Sequence, residues 1–173
     1  AFREARNHFE AQAAKDGLVQ ASGQLKTIAV SLFKIANDIR WLGSGPRCGI
    51  FELLLPETQP GSSIMPGKVN PVIAESMIMV ACRVIGNDAV VTTSGLGGVG
   101  SIFELNVAMP VMIDAFMESV KLIGNVADVF TDKLLKGLQV NEEHCRRLID
   151  QSLMMVTSLA PVLGYETCAK LAK

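Results

Sequence analysis

The sequence predicts an all-α protein built as a long-helix bundle, and three observations carry that expectation. Apolar residues recur with a period near 3.6 over long stretches. Glycine and proline gather between those stretches rather than within them. Of the 173 residues, 49% are hydrophobic and 19% charged, which excludes a disordered chain and supplies a substantial core.

The first helix is expected from His8 to about Leu42. Its apolar positions are Phe9, Ala13, Leu18, Leu25, Ile28, Leu32, Ile35, Ile39 and Leu42. At the helical rise such a rod is roughly 50 Å long, which points to a bundle shared with other chains. Gly43-Ser44-Gly45-Pro46 stops it. A loop rich in Pro and Gly runs from about 47 to 70, and Ile50 to Leu55 within it is either a short strand or a buried turn. Pro71 stands where a first helical residue would, with Asn70 as its N-cap.

The second helix is expected to reach about Thr92, with Ile73, Met77, Val80, Val84 and Val91 on one face; glycine-rich Ser94 to Ser101 breaks it. A third is expected from Glu104 to Lys136, its first turn bent or delayed by Pro110. Asn141, followed by Glu142 and Glu143, caps a shorter helix that continues to Leu159. Pro161 and Gly164 then set off a last piece, Tyr165 to Lys173. Runs such as Met77 to Cys82 are apolar around much of the helix, which predicts burial on several sides and self-association.

Composition narrows the function. Sixteen Lys+Arg against 17 Asp+Glu leave a net charge of −1, without the basic excess of a nucleic-acid partner, and 5% aromatic residues make poor stacking platforms. No apolar run reaches the roughly 20 residues of a membrane-spanning helix. The opening Ala1-Phe2-Arg3-Glu4 has neither an initiator Met nor a signal-peptide core and reads as cut from something longer. Cys48, Cys82, Cys145 and Cys168 form no CxxC pair, so neither a metal site nor a disulfide framework is expected; reduced thiols of the cytoplasmic kind are.

The chemistry gathers in Gly61-Ser62-Ser63-Ile64-Met65-Pro66-Gly67-Lys68-Val69-Asn70-Pro71. A glycine-bounded loop here feeds a helix start, with hydroxyls, an ammonium and a carboxamide close together. Backbone N–H groups and the positive helix end add donors, and the whole suits a small dianion such as a dicarboxylate. An ordinary Ser/Gly/Pro surface loop has the same composition.

The wording of the loop goes further. It matches GSSxMPxKxNP, the signature of the fumarase/aspartase superfamily, at every defined position. Leu42-Gly43-Ser44-Gly45-Pro46-Arg47-Cys48-Gly49 resembles the SGPRCG stretch of class II fumarases. Ile85-Gly86-Asn87-Asp88, Phe103-Glu104-Leu105-Asn106, Met155-Val156-Thr157 and Gly164-Tyr165 are similar to later blocks, so the resemblance spans nearly the whole chain. Cys48, Gly67 and the Phe103–Asn106 block favour fumarase over aspartase. Ser94 to Ser101 departs from the pattern, being longer and richer in glycine than the matching turn.

The resemblance implies a fold, a reaction and a set of roles. Residues 1–160 would be the later part of a central helical bundle domain, with the signature loop at 61–71, and 161–173 the start of a small C-terminal helical domain. The reaction would be anti addition of water to fumarate giving (S)-malate, without metal or cofactor, in a homotetramer of the cytoplasm or mitochondrial matrix. Ser62 would be the catalytic base in the malate direction. Ser63 would bind substrate, and Lys68 and Asn70 would hold the carboxylate that gains charge. Glu75 would support the second catalytic group, a histidine that relatives carry upstream of this segment. Only His8 and His144 are present, both expected on helix surfaces, so the chain by itself is expected to be inactive. The alternatives are an aspartate ammonia-lyase and a non-catalytic helical oligomerisation module.

Overall fold

The computed structural model describes residues 2–61 and 63–172. The chain divides into two compact units, one of residues 1–40 and 56–137, the other of residues 41–55 and 138–173.

The first unit begins with α1 (His8–Ala13) and α2 (Asp16–Leu42). The expected single rod is therefore two helices, because Ala14 turns extended (φ −78°, ψ 146°). Lys15 Nζ folds back to donate to Ala11 O (2.9 Å) and Gln12 O (2.8 Å), satisfying carbonyls at the end of α1, and Asp16 opens α2 at its positive end. α3 spans Val72–Ser94 and α4 spans Met109–Lys133. The stretch expected to begin the third helix is instead a small hairpin, β2 (Ser101–Ile102) paired antiparallel with β3 (Leu105–Asn106). Pro110 lies in the first turn of α4, where its missing N–H costs no hydrogen bond, so it delays the helix without bending it. A single 3₁₀ turn, Leu135–Gly137, follows α4.

The core seam repeats every seven residues. On α3 it is Ala74, Met77, Ala81, Val84, Asp88 and Val91, alternating steps of three and four. On α2 it is Ser22, Ala29 and Ala36; on α4 it includes Met112, Ala115, Ser119, Val126 and Phe130. Such spacing is that of helices packed at a shallow angle. Ala36, Ala74, Met77, Val126, Phe130 and Leu134 form one cluster, and Ala29, Ala81 and Val84 another. Small residues at the seam leave Ile28 and Ile35, expected inside, nearly half exposed.

Two polar networks tie the helices. Asp88 accepts from Ser22 Oγ (2.8 Å) and pairs with Lys26 Nζ (2.5 Å), joining α2 to α3. Arg83 and Asn87 of α3 both bind the Glu118 carboxylate of α4, at 2.9 and 2.7 Å, and Asn87 also reaches Ser119 Oγ at 3.1 Å. Arg83 and Asn87 hold the Glu118 carboxyl below its ordinary range. Among the described residues no buried side-chain polar atom lacks a partner.

The second unit is small. Leu53–Leu54 (β1) is a strand after all, paired antiparallel with Gln139–Val140 (β4). Asn141 caps α5 (Glu142–Asp150) by accepting from His144 N–H, as expected. The helix ends earlier than the apolar run predicts. Residues Leu153–Leu159 form a 3₁₀ helix, and Pro161 lies in the first turn of α6 (Ala160–Leu163) before Gly164 and α7 (Tyr165–Leu171).

Candidate active-site loop

The loop at 61–71 belongs to the first unit and enters α3. Ser62 lies outside the described residues. Around it, two glycines shape the chain for different reasons. Met65-Pro66-Gly67-Lys68 closes a turn in which Lys68 N–H donates to Met65 O at 3.2 Å. Proline at the second place and Gly67 at φ +77° at the third make it a type II turn, which demands a positive φ there. Gly61 faces the other side of the same turn. A methyl built on it would overlap the Lys68 carbonyl oxygen, its carbon only 2.7 Å from the carbonyl carbon. The chain therefore returns on itself, with Gly61 and Lys68 in backbone contact.

Ser63 and Lys68 are exposed, and Asn70 and Glu75 are half-buried. Asn70 does not act as the N-cap. α3 starts one residue later than expected, Val72 N–H binds the backbone oxygen of Asn70 (2.9 Å), and no side chain caps the helix. The reason is Pro71, whose ψ of 58° keeps it outside the helical region. The Asn70 carboxamide is thereby left for other work. Glu75 sits in the first acidic turn of α3, its N–H bonded to Pro71 O at 3.0 Å. Among the described residues, none of the Ser63, Lys68, Asn70 and Glu75 side chains makes a hydrogen bond or ion pair, and none is joined to another. No group of three or more His, Cys, Asp or Glu able to hold a metal is present among the described residues.

The two histidines differ. His8 is exposed and pairs with Glu4 at 3.0 Å. His144, expected on a helix surface, is a half-buried strap of the second unit. Its Nε2 lies 2.8 Å from Ile50 O and its Nδ1 2.6 Å from Arg147 Nη2. A guanidinium can only donate, so Nδ1 accepts and Nε2 donates to Ile50. Asn141 reinforces the strap, its N–H on Glu52 O (2.9 Å) and its Nδ2 on Phe51 O (3.1 Å). The second unit also holds an apolar cavity of about 210 Å³ lined by Leu153, Val156, Thr157, Tyr165 and Cys168.

Sequence reasoning missed the closure at Gly61 and the strap at His144. The first had a local signal, a glycine seven residues before Lys68 in a loop already marked by Pro and Gly. The second had none, since Ile50 and His144 are 94 residues apart.

Comparison with known proteins agrees with the family that the wording of the loop resembles. A family described as lyase matches residues 2–86. The chain is 56% identical over 172 residues to class II fumarate hydratase of Mycobacterium tuberculosis and 54% identical to mitochondrial fumarate hydratase of Mus musculus, covering 99% of this chain each time. It covers 36% and 33% of those proteins, about a third of their length. Among solved structures, class II fumarase from Schistosoma mansoni superposes with a TM-score of 0.93 at 40% identity, over 99% of this chain and 35% of that one. A fumarate lyase:delta crystallin from Brucella melitensis gives 0.88 at 42%, over 99% and 38%.

Proposed function

We propose a function from one premise: this chain belongs to the class II fumarase family of the fumarase/aspartase superfamily. The protein of which it forms about a third hydrates fumarate reversibly to (S)-malate. The observation that carries this is the high identity to fumarate hydratases along almost the whole chain, signature loop included.

In the malate direction the base removes a proton from the carbon beside one carboxylate. The electrons move into that carboxylate, giving an aci-carboxylate dianion, and the hydroxyl on the neighbouring carbon then leaves as water after protonation by a second group. Ser62 is the base. A serine serves only where its alkoxide is stabilised, and the Lys68 ammonium with the uncapped N–H groups at the start of α3 supplies the positive field. Lys68 and Asn70 hold the carboxylate that gains charge, which places their interaction in the transition state rather than in the ground state. Ser63 orients the substrate, and Glu75 supports the histidine contributed by another segment. Exposure of Ser63 and Lys68 and the free Asn70 carboxamide support these roles.

Residues 1–160 belong to the central bundle and 161–173 open a C-terminal domain, a division supported by Pro161 and Gly164. The assembly is a homotetramer of the cytoplasm or mitochondrial matrix. Large apolar side chains left outward on the long helices support the assembly, among them Ile28, Ile35, Met79, Val111 and Ile113.

Fumarate consumption by the full-length protein, followed by ultraviolet absorbance, tests the reaction. Turnover without ammonium is expected. Turnover only with ammonium would make the protein an ammonia-lyase. Sedimentation of the same protein is expected to give four chains, and a monomer would overturn the assembly.

A further inference from the structure

We infer that Gly61 is a positioning residue for Lys68, setting where the ammonium stands by letting the loop close on itself. The inference rests on the dicarboxylate reading of the loop above and adds a residue to it. Its carrier is a contrast between two glycines six residues apart. A Cβ on Gly67 would meet nothing within 4 Å, so Gly67 needs only its dihedral angle (φ +77°). Gly61 has no positive φ, and what it needs is space. Any Cβ there would run into the Lys68 carbonyl oxygen. Backbone cannot swing aside as a flexible side chain can, so a substituent at 61 must open the neck.

Opening the neck moves Lys68, because Lys68 is both the residue touched by Gly61 and the last residue of the type II turn. The turn is rigid, with proline and a left-handed glycine inside it, so it transmits the displacement rather than absorbing it. Misplacement of a catalytic or binding group by about 1 Å is worth on the order of 100-fold in rate.

The test compares Gly61→Ala with Gly67→Asn in the full-length protein, asparagine being a side chain that tolerates left-handed backbone. Three readouts are taken: kcat and KM for fumarate, the inhibition constant of succinate as an unreactive dicarboxylate, and the rate of tryptic cleavage after Lys68. Far-ultraviolet circular dichroism verifies that the helices are intact. Gly61→Ala is expected to lose about 100-fold in kcat/KM, to bind succinate about 10-fold more weakly and to be cut faster at Lys68. Gly67→Asn is expected to lose less than about 10-fold.

Gly61→Ala within about 3-fold of the parent in kcat/KM would overturn the inference, whether or not the cut is faster. So would equal damage from the two variants, since any change to the loop would then suffice. If the parent does not hydrate fumarate, the functional reading fails separately, and the neck is judged by tryptic cleavage and succinate binding: no change in Gly61→Ala then overturns it too.

Discussion

Asn87 and Asp88 sit in the middle of the bundle, each about 95% buried, with Asn87 Nδ2 donating to Glu118 and Ser119 and both Asp88 carboxylate oxygens answered by Ser22 and Lys26. Ser63, Lys68, Asn70 and Glu75 lie at the mouth of α3, exposed or half-buried, and among the described residues their side chains answer nothing. Both sets are polar, and both fall in blocks that resemble the same family. The difference separates polar groups that hold a fold from polar groups that, on the function proposed above, are left for a ligand. A satisfied buried pair costs dearly to break and does no chemistry, while an unengaged exposed group costs the fold little and keeps its full bonding capacity.

Substitutions can break that division. The largest effect belongs to Ser62→Ala in the full-length protein, where loss of a general base is expected to lower kcat by about 10²–10⁴-fold without moving the unfolding midpoint. Steady-state kinetics beside thermal denaturation checks it, and unchanged turnover would remove Ser62 from the mechanism. Met77→Ala attacks the other region. It empties a fully buried position between α2, α3 and α4 and is expected to cost about 2–5 kcal/mol in chemical denaturation.

Asp88→Ala sharpens the comparison. Ser22 would be left buried without its acceptor and Lys26, 45% exposed, would turn to solvent, so about 1–3 kcal/mol is expected. Any selective fall in kcat for this variant would blur the line between the two regions. His144→Ala should release Ile50 at about 0.5–1.5 kcal/mol, read as faster hydrogen exchange in residues 47–52.

The smallest effect is a pH dependence. Arg83 and Asn87 keep the Glu118 carboxyl below its ordinary 4.5, so its contribution is complete above that value and fades as pH falls through the lower folded one. Glu118→Gln should therefore lower stability slightly near neutrality and leave it unchanged at the lowest pH, which flattens the acid limb of the stability profile.

Most of the bundle was legible because its residues repeat. Met77, Val84 and Val91 fall on the expected face of α3, and Gly43 to Pro46 ends α2 where stop signals say it should. What repetition could not show was tertiary. The break at Ala14 hides inside an unbroken apolar pattern, although Lys15-Asp16-Gly17 marks it locally. The hairpin at 101–106 replaces a helical turn because Asn106, buried, donates to Ser94 O (3.1 Å) and accepts from Ala108 N–H (2.8 Å). The candidate site was legible as wording rather than as physics: the residue types and spacing of the loop mark it, whereas Gly61, a glycine the sequence shows, reveals its backbone contact with Lys68 only in space.

The corner between α1 and α2 has a consequence in time. Ser101 Oγ donates to Ala13 O at 3.1 Å across 88 residues of sequence, so the corner is pinned by a hairpin that leaves a ribosome much later. At a synthesis rate of about 5–20 residues per second, α1 waits several seconds for its clasp. Until then the nascent chain holds α2 with its first turn unanchored. A pause in translation before α3 is complete would also lengthen the interval in which the apolar residues of α2 lack their partners Ala81 and Val84.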